Sequence, residues 1–278
     1  MEVLLALATA FGYGASDFIA GLGGRRAHPT AVALLSQPPS LVVALTAVLV
    51  FPGRPDAVAL EWGVLAGLGI GTGVAALYRG LTTSPMCIAA PVSGVVSSLI
   101  PAMVGIATGA PLSGLDYAGV ALAVPGCALV SSTVAAPGTT SLHRTGVTGG
   151  AVSGCGFATQ YIALSQPEAS AGAWPLVSAE VTAALFIATL GRRSSCPPGA
   201  WRAGIGPALA AGTLGGMATL LYLLATDRGP LPVIAVLTGL YPAVTVALAR
   251  TVLGEGWSRL QQAGLLIAAL SVVLISAP

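Results

Sequence analysis

Long apolar stretches follow one another from end to end of the chain, separated by short segments of glycine, proline and charged residues. Each has about 20 residues, the length that a helix needs to cross a hydrocarbon core of about 30 Å. Because their apolar residues are continuous instead of alternating, they predict helices and not the strands of a membrane barrel. The ten predicted spans are roughly residues 3–21, 30–51, 62–80, 86–108, 114–133, 146–165, 171–190, 203–225, 230–252 and 258–277.

An internal repeat divides these spans into five and five. Residues 80–133 align without a gap with residues 225–278, at an offset of 145, and twelve of the 54 pairs are identical. Chance would give about half as many matches in a chain so rich in Ala, Gly, Leu and Val. The pattern predicts a first five-helix repeat at 1–133, a polar linker at 134–145 and a second repeat at 146–278.

The repeat also predicts how the two halves are oriented. Because five is an odd number of spans, the second copy enters the bilayer the opposite way up from the first. The predicted fold is therefore an all-α integral membrane protein of ten transmembrane helices, arranged as two inverted five-helix repeats. In such folds a solute binds near the midplane, between the repeats.

Composition agrees with a membrane protein. Hydrophobic residues make up 55% of the chain, charged residues 7%, and the mean hydropathy is +0.89, whereas ordinary globular proteins are about 25% charged. The four cysteines are never in CxxC spacing, so we expect packing residues and neither a zinc site nor a disulfide framework. We expect no cofactor and no metal, and the net charge of +2 offers no surface for nucleic acid.

Two acidic residues lie well inside predicted spans, away from their ends, where an ionisable group is costly and usually faces a bundle interior or a water-filled cavity. Glu180 lies at the centre of span 7 and Asp17 lies in span 1. An upstream offset of about 143 pairs Asp17 with Gln160 and Gln37 with Glu180. Each acid is a candidate to bind a proton or a cationic group on the transport route. Alternatively, Glu180 stays protonated and bonds a neighbouring helix, while Asp17 pairs with an arginine near the interface.

Glycines recur at four-residue spacing in both repeats, at Gly63, Gly67 and Gly71 in span 3 and at Gly212 and Gly216 in span 8. Such a stripe lets two helices approach closely in lipid, which predicts a packing role.

An enzyme is not expected, since both histidines are predicted to lie in loops and neither HExxH nor GxSxG occurs.

The arginines predict the orientation in the membrane. Nine of the eleven follow odd-numbered spans, and only Arg54 and Arg228 follow even-numbered ones. Cytoplasmic loops are enriched in Lys and Arg, so the count places the odd loops in the cytoplasm and both termini outside.

Three segments resemble one family. They are YGASDF at 13–18, GPLPVIAVLTGLYPAVTVALARTVLGEGWSRLQQAGLLI at 229–267 and its weaker copy at 84–122, and they resemble the EamA-like family of the drug/metabolite transporter superfamily. The resemblance implies a ten-helix inverted-repeat carrier whose cavity is lined chiefly by helices 1, 3, 4, 6, 8 and 9. Carried onto this chain, it implies that the substrate pathway includes Asp17, Tyr78, Ser93, Ser97, Gln160, Tyr161, Tyr222 and Thr238.

The resemblance differs from the residue pattern in three places. It places Glu180 on a helix that serves as an outer wall or a gate. The first copy has Ala110 after Gly109, where family members often keep an acid, as Glu255 does after Gly254. Members are often described with both termini in the cytoplasm, which conflicts with the arginine count.

We therefore expect a secondary transporter of small organic solutes, an exporter of amino acids or other metabolites, working by alternating access. Its partners are the solute and the lipid bilayer, with coupling to a proton or another ion, as a monomer or homodimer in the inner or plasma membrane. Two alternatives stay open. One is an uncoupled facilitator, and the other is a non-transporting membrane scaffold or receptor-like subunit.

Overall fold

The computed structural model describes residues 1–83, 86–130, 140–192, 202–253 and 258–276, and all regular structure in these ranges is helical. Two 3-10 turns, Ala169–Ala171 and Arg202–Gly204, precede α7 and α8. The α-helices are α1 (Glu2–Gly24), α2 (Pro29–Val50), α3 (Ala57–Thr83), α4 (Met86–Ala107), α5 (Gly114–Val130), α6 (Thr140–Leu164), α7 (Trp174–Arg192), α8 (Ile205–Thr226), α9 (Leu231–Thr238), α10 (Tyr241–Leu253) and α11 (Arg259–Ser276).

The predicted span 230–252 corresponds to the candidate membrane span Leu231–Val252, but the chain forms it as two helices, α9 and α10, which are separated at Gly239 and Leu240. Pro242 has no N–H, so it cannot donate to the carbonyl of Thr238, one turn earlier. The turn tightens instead: the Leu240 N–H donates to the Leu237 carbonyl at 3.2 Å. A second bound also differs, since α6 begins at Thr140, inside the predicted linker 134–145.

The outer surface of the helix bundle is apolar, as expected of a protein that contacts lipid. Six candidate membrane spans are present among the described residues: Glu2–Gly24, Pro29–Val50, Ala57–Gly80, Trp174–Arg192, Arg202–Thr226 and Leu231–Val252. Large apolar side chains lie open on the outside, including Leu49 at 82% and Leu266 at 73% exposed. A contiguous apolar surface of this kind marks contact with a membrane. The chain is a multi-pass membrane protein.

Glycines set the closest helix contacts, as predicted. A Cβ at Gly67 of α3 would collide with the carbonyl of Ala179 in α7, and one at Gly212 of α8 would collide with the carbonyl of Ser36 in α2. One turn further, Gly71 faces Phe186 and Gly216 faces Ser40. The packing role of both glycine stripes is confirmed.

Helices at equivalent places in the two predicted repeats pack against each other in antiparallel pairs. In α5 and α11, Gly119 faces Ile275 while Gly126, two turns later, faces Ala268. The α2 and α7 pair behaves in the same way, with Leu34 at Gly191 and the Phe51 carbonyl accepting from the Ala173 N–H. In α4 and the α9–α10 pair, Gly105 faces Pro232 and Gly94 faces Pro242.

The bundle has two ends. At the Met1 end, residues 50–52, the turn at 169–173 and the end of α8 with Asp227 and Arg228 surround a cavity of about 270 Å³. At the opposite end, the end of α3 with Arg79, the start of α6 and the end of α7 line a groove of about 450 Å³. We call this the arginine end because, among the described residues, it also holds Arg25, Arg26, Arg144, Arg192, Arg202, Arg250 and Arg259.

Candidate functional site

A small polar cavity of about 50 Å³ lies inside the bundle, between α1, α2, α3, α6, α7 and α8. A buried water needs about 10–15 Å³, so the cavity has room for a few waters or for one small polar group. Its polar lining residues are Tyr13, Ser16, Asp17, Ser36, Gln37, Ser40, Tyr78, Gln160, Glu180 and Thr219.

Residues that the repeat pairs with each other meet in this cavity. Asp17 and its counterpart Gln160 both line it, and so do Gln37 and its counterpart Glu180. The offset of 145 adds two further pairs, Ile70 with Gly215 and Val74 with Thr219. The cavity is thus lined by positions that the sequence alignment makes equivalent, and each predicted repeat supplies one carboxyl group and one amide.

Tyr13 joins three helices at the cavity wall. Its hydroxyl accepts a hydrogen bond from Gln160 Nε2 at 2.7 Å and lies 2.9 Å from the Thr219 hydroxyl. The adjacent Ser16 hydroxyl donates to the Ala211 carbonyl at 2.8 Å. These bonds hold α1 against α6 and α8. They are costly to break in a bilayer, where no water is present to satisfy the freed polar groups.

The acidic side chains are almost fully enclosed. Asp17 is 7% and Glu180 is 2% exposed, and the Ser40 hydroxyl lines the same cavity. None of the described residues that line the cavity is basic. A carboxylate at membrane depth is costly without a cation or a proton, so the cavity attracts positive charge.

Gln37 leaves one acceptor unused. Its Nε2 donates to the Ala33 carbonyl at 3.1 Å and to the Ser36 hydroxyl at 3.3 Å, so both donor positions of the amide are used. The Oε1 atom is buried and has no hydrogen-bond partner in the described structure. A buried acceptor without a partner costs about 1–3 kcal/mol.

Tyrosines close the bundle on the Met1 side of the cavity. Tyr161 and Tyr222 stack with their ring centroids 4.6 Å apart, and the Tyr222 hydroxyl donates to the Tyr161 carbonyl at 3.1 Å. The Tyr13 ring lies 6.3 Å from Tyr161 and 6.4 Å from Tyr241. Tyr161 and Tyr222 are at most 1% exposed and follow the cavity residues Gln160 and Thr219 toward the Met1 end, so Tyr13, Tyr161 and Tyr222 form a tyrosine layer on that side of the cavity.

Three predicted pathway residues lie elsewhere in the core. The Ser93 hydroxyl is 2.9 Å from that of Ser153 and accepts from the Tyr241 hydroxyl at 2.9 Å. Ser97 donates to the Gly94 carbonyl at 3.2 Å. The Thr238 hydroxyl is buried at the break between α9 and α10, with no hydrogen-bond partner in the described structure. These side chains do not line the polar cavity in the described structure.

The cavity therefore brings together Asp17, Tyr78, Gln160 and Glu180 from the predicted set. Tyr161 and Tyr222 belong to the tyrosine layer, and a pathway role for all these residues stays a prediction. Sequence reasoning did not select Gln37 or Tyr13 as site residues. Gln37 could have been found as the repeat counterpart of Glu180, and Tyr13 because it lies one helical turn before Asp17.

No group of three or more His, Cys, Asp or Glu residues is placed to hold a metal in the part of the chain that the structure describes.

Comparison with known proteins gives a family and a fold. Residues 146–277 match the EamA-like transporter family. No curated protein sequence matches the chain. A solved crystal structure, of a protein with no further description, superposes with a TM-score of 0.67 at 17% identity, over 97% of this chain and 98% of its own. At that identity the likeness concerns the fold alone, and it extends over nearly the whole chain.

Proposed function

The chain carries an EamA-like transporter domain at residues 146–277, and we propose that the whole chain is a secondary transporter of small organic solutes that works by alternating access. The single observation that carries this proposal is the polar cavity, because equivalent positions of both repeats line it at membrane depth. A scaffold subunit would gain nothing from two enclosed carboxyl groups, which are costly in a bilayer.

The antiparallel pairs support an inverted repeat. When a helix packs antiparallel against its own repeat counterpart, the two-fold axis that relates them must lie across the helices, which means in the membrane plane. Three such pairs, α2 with α7, α4 with α9–α10 and α5 with α11, meet this condition. Inverted repeats of this kind rock against each other around a fixed midplane site.

The tyrosine layer supports alternating access, because it separates the cavity from the Met1 end. Opening on that side requires that Tyr161 and Tyr222 unstack and that the Tyr13 hydroxyl leaves Gln160 or Thr219. The bonds that break are few and directional, and a two-state interface of this kind can open and close as a unit. We propose that energy comes from a proton or ion gradient and that the direction in the cell membrane is export of amino acids or related metabolites.

Reconstitution tests the proposal. We expect proteoliposomes that contain the full-length protein to exchange members of a panel of small amines, amino acids and neutral metabolites faster than protein-free liposomes. Gln160→Leu should lower the exchange at least several-fold, because it removes the donor to Tyr13 and a polar wall of the cavity. Leu266→Ala, on the lipid-facing surface, is the matched control and should exchange as the parent does. Exchange no faster than in protein-free liposomes for every solute would refute a transporter.

A further inference from the structure

We infer that the cavity binds the ammonium group of a small organic monocation, a protonated primary amine, and that this cation displaces a proton from the same carboxyl groups. The inference names the substrate class and rests on the proposed transport function only for the passage of the amine across the membrane.

The first argument is charge. Asp17 and Glu180 face one cavity, and no arginine is present among the described residues that line it. The other groups that face these acids are uncharged: Ser36, Gln37 and Ser40 from α2, Phe157 and Gln160 from α6, and Thr219 with glycine and alanine from α8. An anionic solute would be repelled, because nothing there compensates its charge.

The second argument is the unused acceptor. Gln37 Oε1 is buried at the cavity without a partner. A primary ammonium has three N–H donors and no acceptor. Two carboxyl groups and one amide oxygen offer it three acceptors, which satisfies the ligand and the orphan oxygen together.

The third argument is size and shape. Rings of Tyr13, Tyr78 and Phe157 form part of the wall, and aromatic faces attract a desolvated organic cation. The volume of about 50 Å³ suits a compact ammonium group. Divalent cations prefer six or more oxygen ligands. Among the described residues, no three His, Cys, Asp or Glu side chains are grouped to supply them, so the cavity suits a monovalent cation better.

Proton exchange follows from the same charges. Without the amine, a buried carboxyl group is cheapest with its proton, whereas the bound ammonium compensates the carboxylate. Binding then converts a carboxylic acid and a free alkylammonium ion into an ion pair and one released proton. The other titratable groups that line the cavity are the phenols of Tyr13 and Tyr78, which keep their protons at neutral pH because a phenol ordinarily titrates near pH 10.

A proton-release titration tests the site. Purified full-length protein in detergent and weak buffer, with a pH-indicator dye, is titrated with ethylammonium chloride. We expect saturable release of about one proton per bound cation, and weaker ethylammonium binding, by up to tenfold per unit, as the pH falls. Sodium chloride at equal concentration and ethanol, the neutral analogue, should release none. Ethylammonium binding without proton release, or equal release with sodium, would overturn the inference.

Variants locate the effect. Asp17→Asn and Glu180→Gln should each reduce the released proton by at least half, and Gln37→Leu should weaken ethylammonium binding about tenfold with the proton count unchanged. Glu61→Gln removes an acid from the exposed face of α3 and should release protons as the parent does. Thermal unfolding of every variant shows that it is folded. Full release from both acid variants would place the proton elsewhere and contradict the inference.

The two proposals fail separately. Proteoliposomes that exchange neutral or anionic solutes, made from a protein that releases no proton to ethylammonium, would leave a transporter with another substrate class. Proton release in detergent, together with proteoliposomes that exchange neither radiolabelled ethylammonium nor any other solute of the panel, would support the cation site and refute the transporter.

Discussion

The Tyr13 hydroxyl shows how single polar atoms organise this bundle. It is held by Gln160 of α6 and by Thr219 of α8, while its ring packs near Tyr161 and Tyr241. The residue thus belongs both to the cavity wall and to the tyrosine layer. The hydrogen bond from Gln160 to the Tyr13 hydroxyl therefore connects the cavity wall to the tyrosine layer.

Asp227, at the end of α8 and outside the membrane spans, gives a pH prediction. Partial burial at the Met1 end raises the pKa of its carboxyl group above the usual 3.8, and the neighbouring Arg228 opposes this shift. A raised pKa means that the folded state holds the proton more tightly than the unfolded state. Stability from this group is therefore present below the usual pKa and is lost as the pH rises through the folded value.

We expect Asp227→Asn to remove that dependence. The thermal unfolding midpoint in detergent, measured at intervals from about pH 3.5 to about pH 7, should fall less steeply with rising pH in the variant than in the parent. Identical slopes in the two proteins would show that Asp227 carries no such linkage.

At the scale of elements, aligned positions of the sequence repeat also form matching hydrogen bonds. In the segment that begins α5, Ser113 and Asp116 exchange hydrogen bonds between side chains and backbone N–H groups, at 2.8 and 3.1 Å. Ser258 and Gln261 do the same before α11, at 3.1 and 3.2 Å. Such reciprocal capping satisfies donors at a helix start that would otherwise lack partners. The two helices therefore begin by the same local rule, 145 positions apart.

The glycine contacts give a stability prediction. Gly212→Ala should destabilise the protein by about 1–3 kcal/mol, because its Cβ meets the carbonyl of Ser36, which is backbone and cannot rotate away. Gly67→Ala, its repeat counterpart, should cost a similar amount against Ala179. The control is Gly149→Ala in α6, whose Cβ would meet its nearest neighbours at 3.7 Å and which should gain about 0.5–1 kcal/mol in helix stability.

Thermal unfolding in one detergent, or unfolding in SDS titrations, measures the three variants side by side. Equal midpoints for Gly212→Ala and Gly149→Ala would mean that α2 and α8 yield to the added methyl group, and that the stripe is not a tight contact.

Length and hydropathy were enough to predict most helices, because a membrane span must be long, apolar and fully hydrogen-bonded. The break after Thr238 could not be predicted, because a proline inside an apolar run does not always end a helix. Pro38 and Pro39 lie inside α2 without dividing it, whereas α9 ends before Pro242. Asp17 and Glu180 could be selected because charge is rare in such spans. The pairing with Glu180 across the repeat pointed to Gln37 as well, but its unpartnered oxygen could not be predicted, since it is a property of the packed structure.

At the scale of the whole molecule, the same kinds of helix contact recur in both predicted repeats. Gly69 of α3 lies against Gln160 of α6, and Gly12 of α1 lies against Ala218 of α8, each pair antiparallel. The α3 and α6 pair is therefore the counterpart of the α8 and α1 pair in the predicted repeats. The chemical identity differs at the cavity, where Asp17 and Glu180 each have an amide as the aligned residue of the other predicted repeat.

The distribution of arginines sets the last prediction, which concerns orientation. The Met1 end has Arg54 and Arg228, whereas the arginine end has Arg25, Arg26, Arg79, Arg144, Arg192, Arg202, Arg250 and Arg259 among the described residues. Positive residues are retained in the cytoplasm during insertion. We therefore expect the Met1 end, with both termini, to lie outside, although the family resemblance implies termini in the cytoplasm.

Single cysteines decide between the two orientations. In a variant whose four cysteines are replaced, Arg54→Cys and Arg228→Cys should react with a membrane-impermeant maleimide in intact cells, because both positions are exposed at the Met1 end. Arg26→Cys and Arg192→Cys, exposed at the other end, should react only after the cells are permeabilised. The reverse pattern would establish cytoplasmic termini. It would also place the tyrosine layer on the cytoplasmic side of the cavity, so that an exporter would have to open that layer to load its solute and not to release it.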